Sequence, residues 1–363
     1  MKIMNLAIAS AVVGLLTIPV TLPGQLQQPA QPSSSGEAIG VIEWEAAMGD
    51  LEKAEQFYHG FLGLESVLGD PKMRFAWWHA PPMLTELYQV AGGDLRNFYL
   101  FIPGTDMGVE PIQWSEAKGK PVPTRIQDPG SGHLILYTWN IAGILGRIGK
   151  GTPQVEVLTI GGRPVTVAAP SGKNQVVWLR EPSGFFVELV QPDPPREVTA
   201  SFNLPKTYYT GADVGFAVED MDKTVRFYRD VLGFQIESSE FSSEKDQLGA
   251  FGMRGGQYRT SILRTPGNNP EIHLVEFKGI DRKPLHLHIV DPNALVLRIR
   301  VRGIDAIAAK LKAAGTKFVP LSGQPLAAGS TRWLMVQGPD NIFLQLAEAP
   351  ANMPNPGAPA PPR

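Results

Sequence analysis

The chain has 363 residues, 43% of them hydrophobic and 19% charged, with a formal net charge of −2. That length suits about two domains of roughly 150 residues each, and the lack of a basic surplus or an acidic block argues against nucleic acid as a partner and against a charged tail. The absence of cysteine excludes disulfides, thiolate nucleophiles, Cys-ligated zinc and a lipoprotein anchor, and six histidines leave few candidates for imidazole chemistry.

The N-terminus carries Lys2 and then an uncharged, mostly apolar run from Leu6 to Val20. That run is shorter than the roughly 20 residues a spanning helix needs. It reads as a signal peptide over 1–24, followed by a Pro/Gln/Ser linker over 25–36. The expectation is a periplasmic or secreted protein, with no membrane association beyond an uncleaved signal anchor.

A first domain is expected over 37–193. Ile42–Ala47 reads as a strand, Asp50–Phe61 as a helix stopped at Gly63, and segments near Phe75–Trp78 and Phe98–Ile102 as strands. His133–Trp139 opens a second unit, with a short helix near Ile141–Ile148 and strands at Val176–Arg180 and Phe185–Val190. The Pro-rich stretch 194–206 reads as a linker.

The second domain, 207–348, repeats this order. Ala212–Val218 alternates like a strand, and Val225, Tyr228 and Leu232 form a helical stripe ending at Gly233. Strands follow at Phe234–Ser238, Arg259–Leu263 and Ile272–Phe277. A last unit runs through strand Leu295–Val301, helix Ile304–Ala314, and strands Trp333–Val336 and Ile342–Leu346. Residues 349–363 read as a disordered tail. The clearest sign of repetition is Phe57-Tyr58-His59-Gly60-Phe61-Leu62-Gly63-Leu64 against Phe227-Tyr228-Arg229-Asp230-Val231-Leu232-Gly233-Phe234. The chain is thus four β-α-β-β-β modules in an α+β fold.

Three segments resemble the vicinal oxygen chelate superfamily, which includes glyoxalases, bleomycin resistance proteins and extradiol dioxygenases. Asp220 to Phe234 fits the family's first helix, and Glu181 to Val190 and Gly338 to Leu346 fit its closing hairpin. The resemblance implies tandem domains, each of two paired modules whose sheet forms a cup. Pairing within each half or across the halves is left open by the residues themselves. It also implies a divalent metal (Fe, Mn, Ni, Co or Zn) that a small, oxygen-rich ligand chelates, in a lyase/isomerase or dioxygenase. The alternative is a metal-free small-molecule binder of the resistance type.

The repeat serves as a ruler for the cup positions. Asp50 and Asp220 open equivalent helices, and seven residues before them lie Glu43 and Asp213. Asp128-Pro129 aligns with Asp291-Pro292, which sets His133 against Val296. The closing strands align Tyr99, Glu188, His273 and Gln345. In the first domain Glu43, His133 and Glu188 are the expected metal ligands, with Tyr99 at the fourth place. Glu45 and Tyr137 share the faces of Glu43 and His133 by strand alternation. Glu45 is expected as a substitute ligand or a base, and Tyr137 as a hydrogen-bond donor in proton handling. The second domain reads as degenerate, since Val296 cannot ligate a metal. Trp77, Trp78, His79 and Trp139 are expected either to line the first domain's cup or to pack in its core. His286 and His288 are expected on the surface. Arg298, Arg300 and Arg302 share one strand face, read here as solvent-facing rather than as an anion site.

Overall fold

The computed structural model describes residues 36–66, 75–102, 105, 107–117, 119–149, 155–170, 172–194, 208–266, 270–350 and 353. The expected signal peptide, the second linker beyond residue 194 and nearly all of the tail lie outside them. Among the described residues no helix is long and apolar enough to cross a membrane.

Each module opens and closes on a central strand. The four opening and four closing strands are β1 (Glu37–Ala47), β2 (Gly108–Trp114), β3 (Gly132–Thr138), β4 (Phe186–Asp193), β5 (Tyr209–Val218), β6 (Ile272–Lys278), β7 (Leu295–Arg302) and β8 (Phe343–Glu348). The helices are α1 (Leu51–Glu55, continued by a wider π turn over Gln56–Phe61), α2 (Pro82–Tyr88), α3 (Ile141–Leu145), α4 (Met221–Asp230), α5 (Lys245–Ala250) and α6 (Ile304–Ala313).

The repeated Phe-Tyr-x-x-x-Leu-Gly unit explains how two of these helices start and stop. Asp50 and Asp220 cap them, their carboxylates accepting from Lys53 N at 3.0 Å and Lys223 N at 2.9 Å. Gly63 and Gly233 leave the helices at φ 77° and 81°, where a side chain would be strained. Tyr58 and Tyr228 point inward and are fully buried.

The modules form two large mixed sheets. In the first sheet the central order is Thr331–Gln337, β8, β7, β1, β2 and Asp94–Asn97. In the second it is Gln257–Arg264, β6, β5, β3, β4 and Gly172–Arg180. Each sheet joins two modules by an antiparallel pair of opening strands, β1 with β7 and β3 with β5. The pairing therefore crosses the sequence halves. The first module pairs with the fourth and the second with the third, so neither 37–193 nor 207–348 owns a complete cup.

One apolar cluster fills the helix side of both sheets and joins them, with Trp44 edge-on to Phe185 at 5.2 Å between ring centroids. The opposite face of each sheet has its own cluster. Tyr88 of α2 and Trp333 belong to that of the first, and Ala250 of α5 and Trp178 to that of the second. The functional cups open on these faces.

The closing strand of the first module is β2. The expected strand at Phe98–Ile102 is only a short pair at Leu100–Phe101 on its flank. Tyr99 therefore does not hold the fourth cup position. Glu110 does, because it stands beside Glu45 in the sheet as His273 stands beside Gly215.

Candidate metal centre

In the second cup, a row across the sheet sets Phe186, His133, Gly215 and His273 side by side. The row two residues along holds Glu188, Ile135 and Asp213, and the Glu271 amide donates to Asp213 Oδ1 at 2.7 Å. Side chains two apart share a face. One face thus presents His133, Glu188, Asp213 and His273, all at the equivalent cup positions of their modules.

Their contacts are close. His133 Nε2 lies 3.6 Å from Glu188 Oε2, and His273 Nε2 lies 3.4 Å from Asp213 Oδ2 and 3.5 Å from Glu271 Oε2. Tyr137 donates its hydroxyl to Asp213 Oδ2 at 2.7 Å, and Arg264 Nε donates to Glu271 Oε1 at 2.6 Å. Gly215 has a steric role here. A Cβ at that position would fall 2.0 Å from His133 Cε1, so the imidazole lies against bare backbone.

The electrostatics split the two imidazoles. Burial, helped by the charge of His273, pulls His133 down to about 3, so it is neutral at pH 7 with a free lone pair. Burial also opposes charge on His273, but Asp213, Glu271 and Glu188 outweigh it and push it up to about 9. Burial raises Glu188 to about 7, partly offset by His273.

Two imidazoles and two carboxylates make a mixed N/O set of the kind that Fe, Mn, Co, Ni and Zn accept. Two further observations favour an ion. His273 Nε2 makes only long contacts, to Asp213 and Glu271, and Asp213, Glu271 and His273 each bring a ligand atom within 4.8 Å of the others, a group that does not include His133 or Glu188. The residues of the second cup therefore fit the metal that the resemblance implies.

The first cup has the same frame and other contents. Glu43 and Glu45 from β1, Glu110 from β2, and Arg298 from β7 converge there, all nearly buried. Arg298 donates from Nη1 to Glu43 and from Nε to Gln345, and its Nη2 lies 3.8 Å from Glu45 and 3.7 Å from Glu110. Its guanidinium sits over Trp333, 5.2 Å from the ring centroid. Tyr88 donates to Glu45 at 2.5 Å, and Asn97 donates to Glu110. Burial raises Glu45 to about 8, with the charge of Glu110 adding and Arg298 and Tyr88 opposing. Burial likewise raises Glu43 well above the usual carboxylate range, against the pull of Arg298. The carboxylates here keep 3–5% side-chain exposure, whereas Glu188 and His273 keep 13% and 24%. Within the second cup, His133 and Asp213, at 6% and 2%, are about as buried as the first cup's carboxylates.

The expected ligand set is therefore divided. His133, Glu188 and Tyr137 meet in the second cup, while Glu43 and Glu45 lie in the first. Their separation follows from the exchange of module partners. Arg298 is buried, contrary to the solvent-facing expectation for its strand. Trp139 and Trp77 are about half exposed, at 52% and 46%, while Trp78 packs at the first cup and donates to Asn97. His286 and His288 are exposed.

Residues 212–346 match the model of the Glyoxalase/Bleomycin resistance protein/Dioxygenase superfamily. Residues 212–346 thus carry a domain of this superfamily. Its fold is also that of glyoxalase I from Zea mays, at 17% identity and a TM-score of 0.54, over 86% of this chain and 92% of that one. A putative dioxygenase from Bacillus subtilis matches at 15% identity and a TM-score of 0.53, over 86% of each chain. No curated protein matches the sequence. At such identities the likeness concerns the fold, and the superfamily match spans the third and fourth modules, one from each cup.

Proposed function

We propose that this protein binds a divalent metal in the second cup through His133, Glu188, Asp213 and His273. There it acts as a lyase/isomerase or dioxygenase on a small, oxygen-rich molecule. The observation that carries this reading is the convergence of two imidazoles and two carboxylates at the four equivalent cup positions. The metal, when bound, supplies a Lewis acid for adjacent substrate oxygens. His133 offers a neutral nitrogen, and Gly215 gives its ring room. Tyr137 and the Glu271 amide hold the two oxygens of Asp213, which fixes that carboxylate before any ligand arrives. Tyr137 also sets a hydroxyl on Asp213 for moving a proton. Glu45, in the other cup, has no part in this chemistry. Placement in the periplasm or outside the cell belongs to the same proposal and rests on the apolar run Leu6–Val20.

Metal analysis of the purified protein tests the reading. One equivalent per chain is expected, lost in His133→Ala and His273→Ala and kept in Glu43→Gln. No metal above trace in the wild type would sink it. One observation favours metal-free ligand binding instead: His273, held as a cation by Asp213 and Glu271, already balances charge in the cup. A ligand-induced rise in melting temperature in metal-free protein, unchanged by added metal, would select that alternative.

A further inference from the structure

We propose that the first cup is a divalent-cation site whose occupant is built into the chain: the guanidinium of Arg298 takes the place of the ion. The argument rests on the register of the two sheets. Glu43 and Asp213 are equivalent, as are Gln345 and Glu188, Glu110 and His273, and Val296 and His133. By the same register Arg298 stands where the second cup has Ile135. The first cup therefore lacks both imidazoles, with Val296 and Glu110 in their places, and has gained one cation, at Arg298.

The contacts match that exchange. Arg298 reaches Glu43, Glu45, Glu110 and Gln345, which come from three strands, much as an ion at the centre would. A planar guanidinium suits carboxylates approaching in its own plane, and Trp333 covers its face. Arg298 bonds one oxygen of Glu43, and the Glu110 carboxyl and the Tyr99 hydroxyl lie against the same carboxyl. A buried carboxylate is costly unless a cation and such partners complete it.

The arrangement has a structural effect. Glu43, Glu45 and Glu110 belong to the first module and Arg298 and Gln345 to the fourth. The ion cluster thus fastens the N-terminal module to the C-terminal one. It also removes the first cup from chemistry, because a side chain cannot leave open positions for a ligand as a catalytic metal does.

The test uses the full chain with the second cup disabled by Asp213→Ala and His273→Ala, so the outcome does not depend on the proposed function. In that background Arg298→Ile, Val296→His and Glu45→Gly copy Ile135, His133 and Gly215 of the second cup into the first. Arg298→Ala, which only removes the head group, is prepared beside it. Binding of Mn(II), Ni(II) and Zn(II) is read by equilibrium dialysis and melting temperature. The expected result is one added equivalent of metal per chain and a metal-dependent rise in melting temperature, both lost on Glu110→Gln. A variant that folds only when metal is added supports the proposal equally. Folded variants without metal uptake would overturn the proposal. So would equal uptake at the first cup with Arg298 intact, or failure of both variants to fold with or without metal.

Discussion

Arg298 stands directly across from Glu43 in the first sheet, where Ile135 stands across from Asp213 in the second. This exchange, cation for aliphatic, is one of the differences between the two cups. In the first, a side chain satisfies the carboxylates. In the second, carboxylates and imidazoles face each other, Arg264 pairs with the flanking Glu271, and His273 carries a proton.

That proton leads to a pH dependence of metal uptake. His273 is raised to about 9 and must lose its proton to ligate, whereas His133 at about 3 is already neutral. Metal affinity should therefore rise as pH rises toward 9, with a proton released on binding near neutral pH. Titration calorimetry in buffers of differing ionisation enthalpy measures that release. Affinity independent of pH between 6 and 9 would contradict the assignment of His273 as a ligand.

Glu45 gives the first cup the opposite kind of signature. Its folded-state value, about 8, lies above its unfolded value near 4.5. Its contribution to stability is fully present below the unfolded value and is lost as pH rises through about 8. Glu45→Gln, which keeps an acceptor for Tyr88, should flatten the decline in stability between those limits. Denaturant titrations of both proteins across that window decide the point.

Gly215→Ala should be severe for its size. The added methyl would lie 2.0 Å from the His133 ring, whose other face meets Trp178 at 4.4 Å between centroids. Overpacking of this kind costs about 1–3 kcal/mol. Bound metal should fall along with stability, while Gly249→Ala, with open space around it, should change neither.

Tyr58 and Tyr228 are fully buried, and among the described residues their hydroxyls have no hydrogen-bond partner. An unsatisfied buried hydroxyl costs about 1–3 kcal/mol. Tyr58→Phe and Tyr228→Phe should therefore be neutral or stabilising by chemical denaturation. A marked loss of stability would reveal a bound water that the hydroxyls serve.

The crossed pairing sets an expectation for fragments. The second sheet is drawn from one continuous stretch, Gly132 to Lys278, whereas the first needs both ends of the chain. A fragment spanning 119–280 should show a cooperative melt. One spanning 37–193 should not, since it holds one module of each sheet. Circular dichroism on both fragments is sufficient to compare them.

Much of the fold was legible because it rests on local chemistry. The Asp caps, the Tyr positions and the closing glycines mark equivalent helices, and the alternation in Ala212–Val218 and Leu295–Val301 marks opening strands. Partner choice was not legible. All four opening strands are apolar on the helix side, and nothing local tells β1 to pair with β7 rather than β3. His133 and Glu188 could be found from the alignment, whereas Asp213 and His273, also at the right positions, fall in the other half of the sequence. Glu110 was hidden by Pro111 beside it, a residue that argues against a central strand. Arg298 looked like a surface charge because its strand alternates arginine with aliphatic residues, a pattern equally common on solvent-facing sheets.

The contact between Glu43 and Arg298 spans 255 residues of sequence. Contacts of such range form late, since the intervening chain must be ordered first. During synthesis β1 emerges early, yet its partner β7 follows only after more than two thirds of the chain. Until then β1 presents an unpaired apolar edge, the kind of surface that recruits neighbouring chains. Truncation before Leu295 should therefore yield aggregates rather than a smaller soluble protein, and the cell's handling of the nascent N-terminal module becomes part of how this fold is reached.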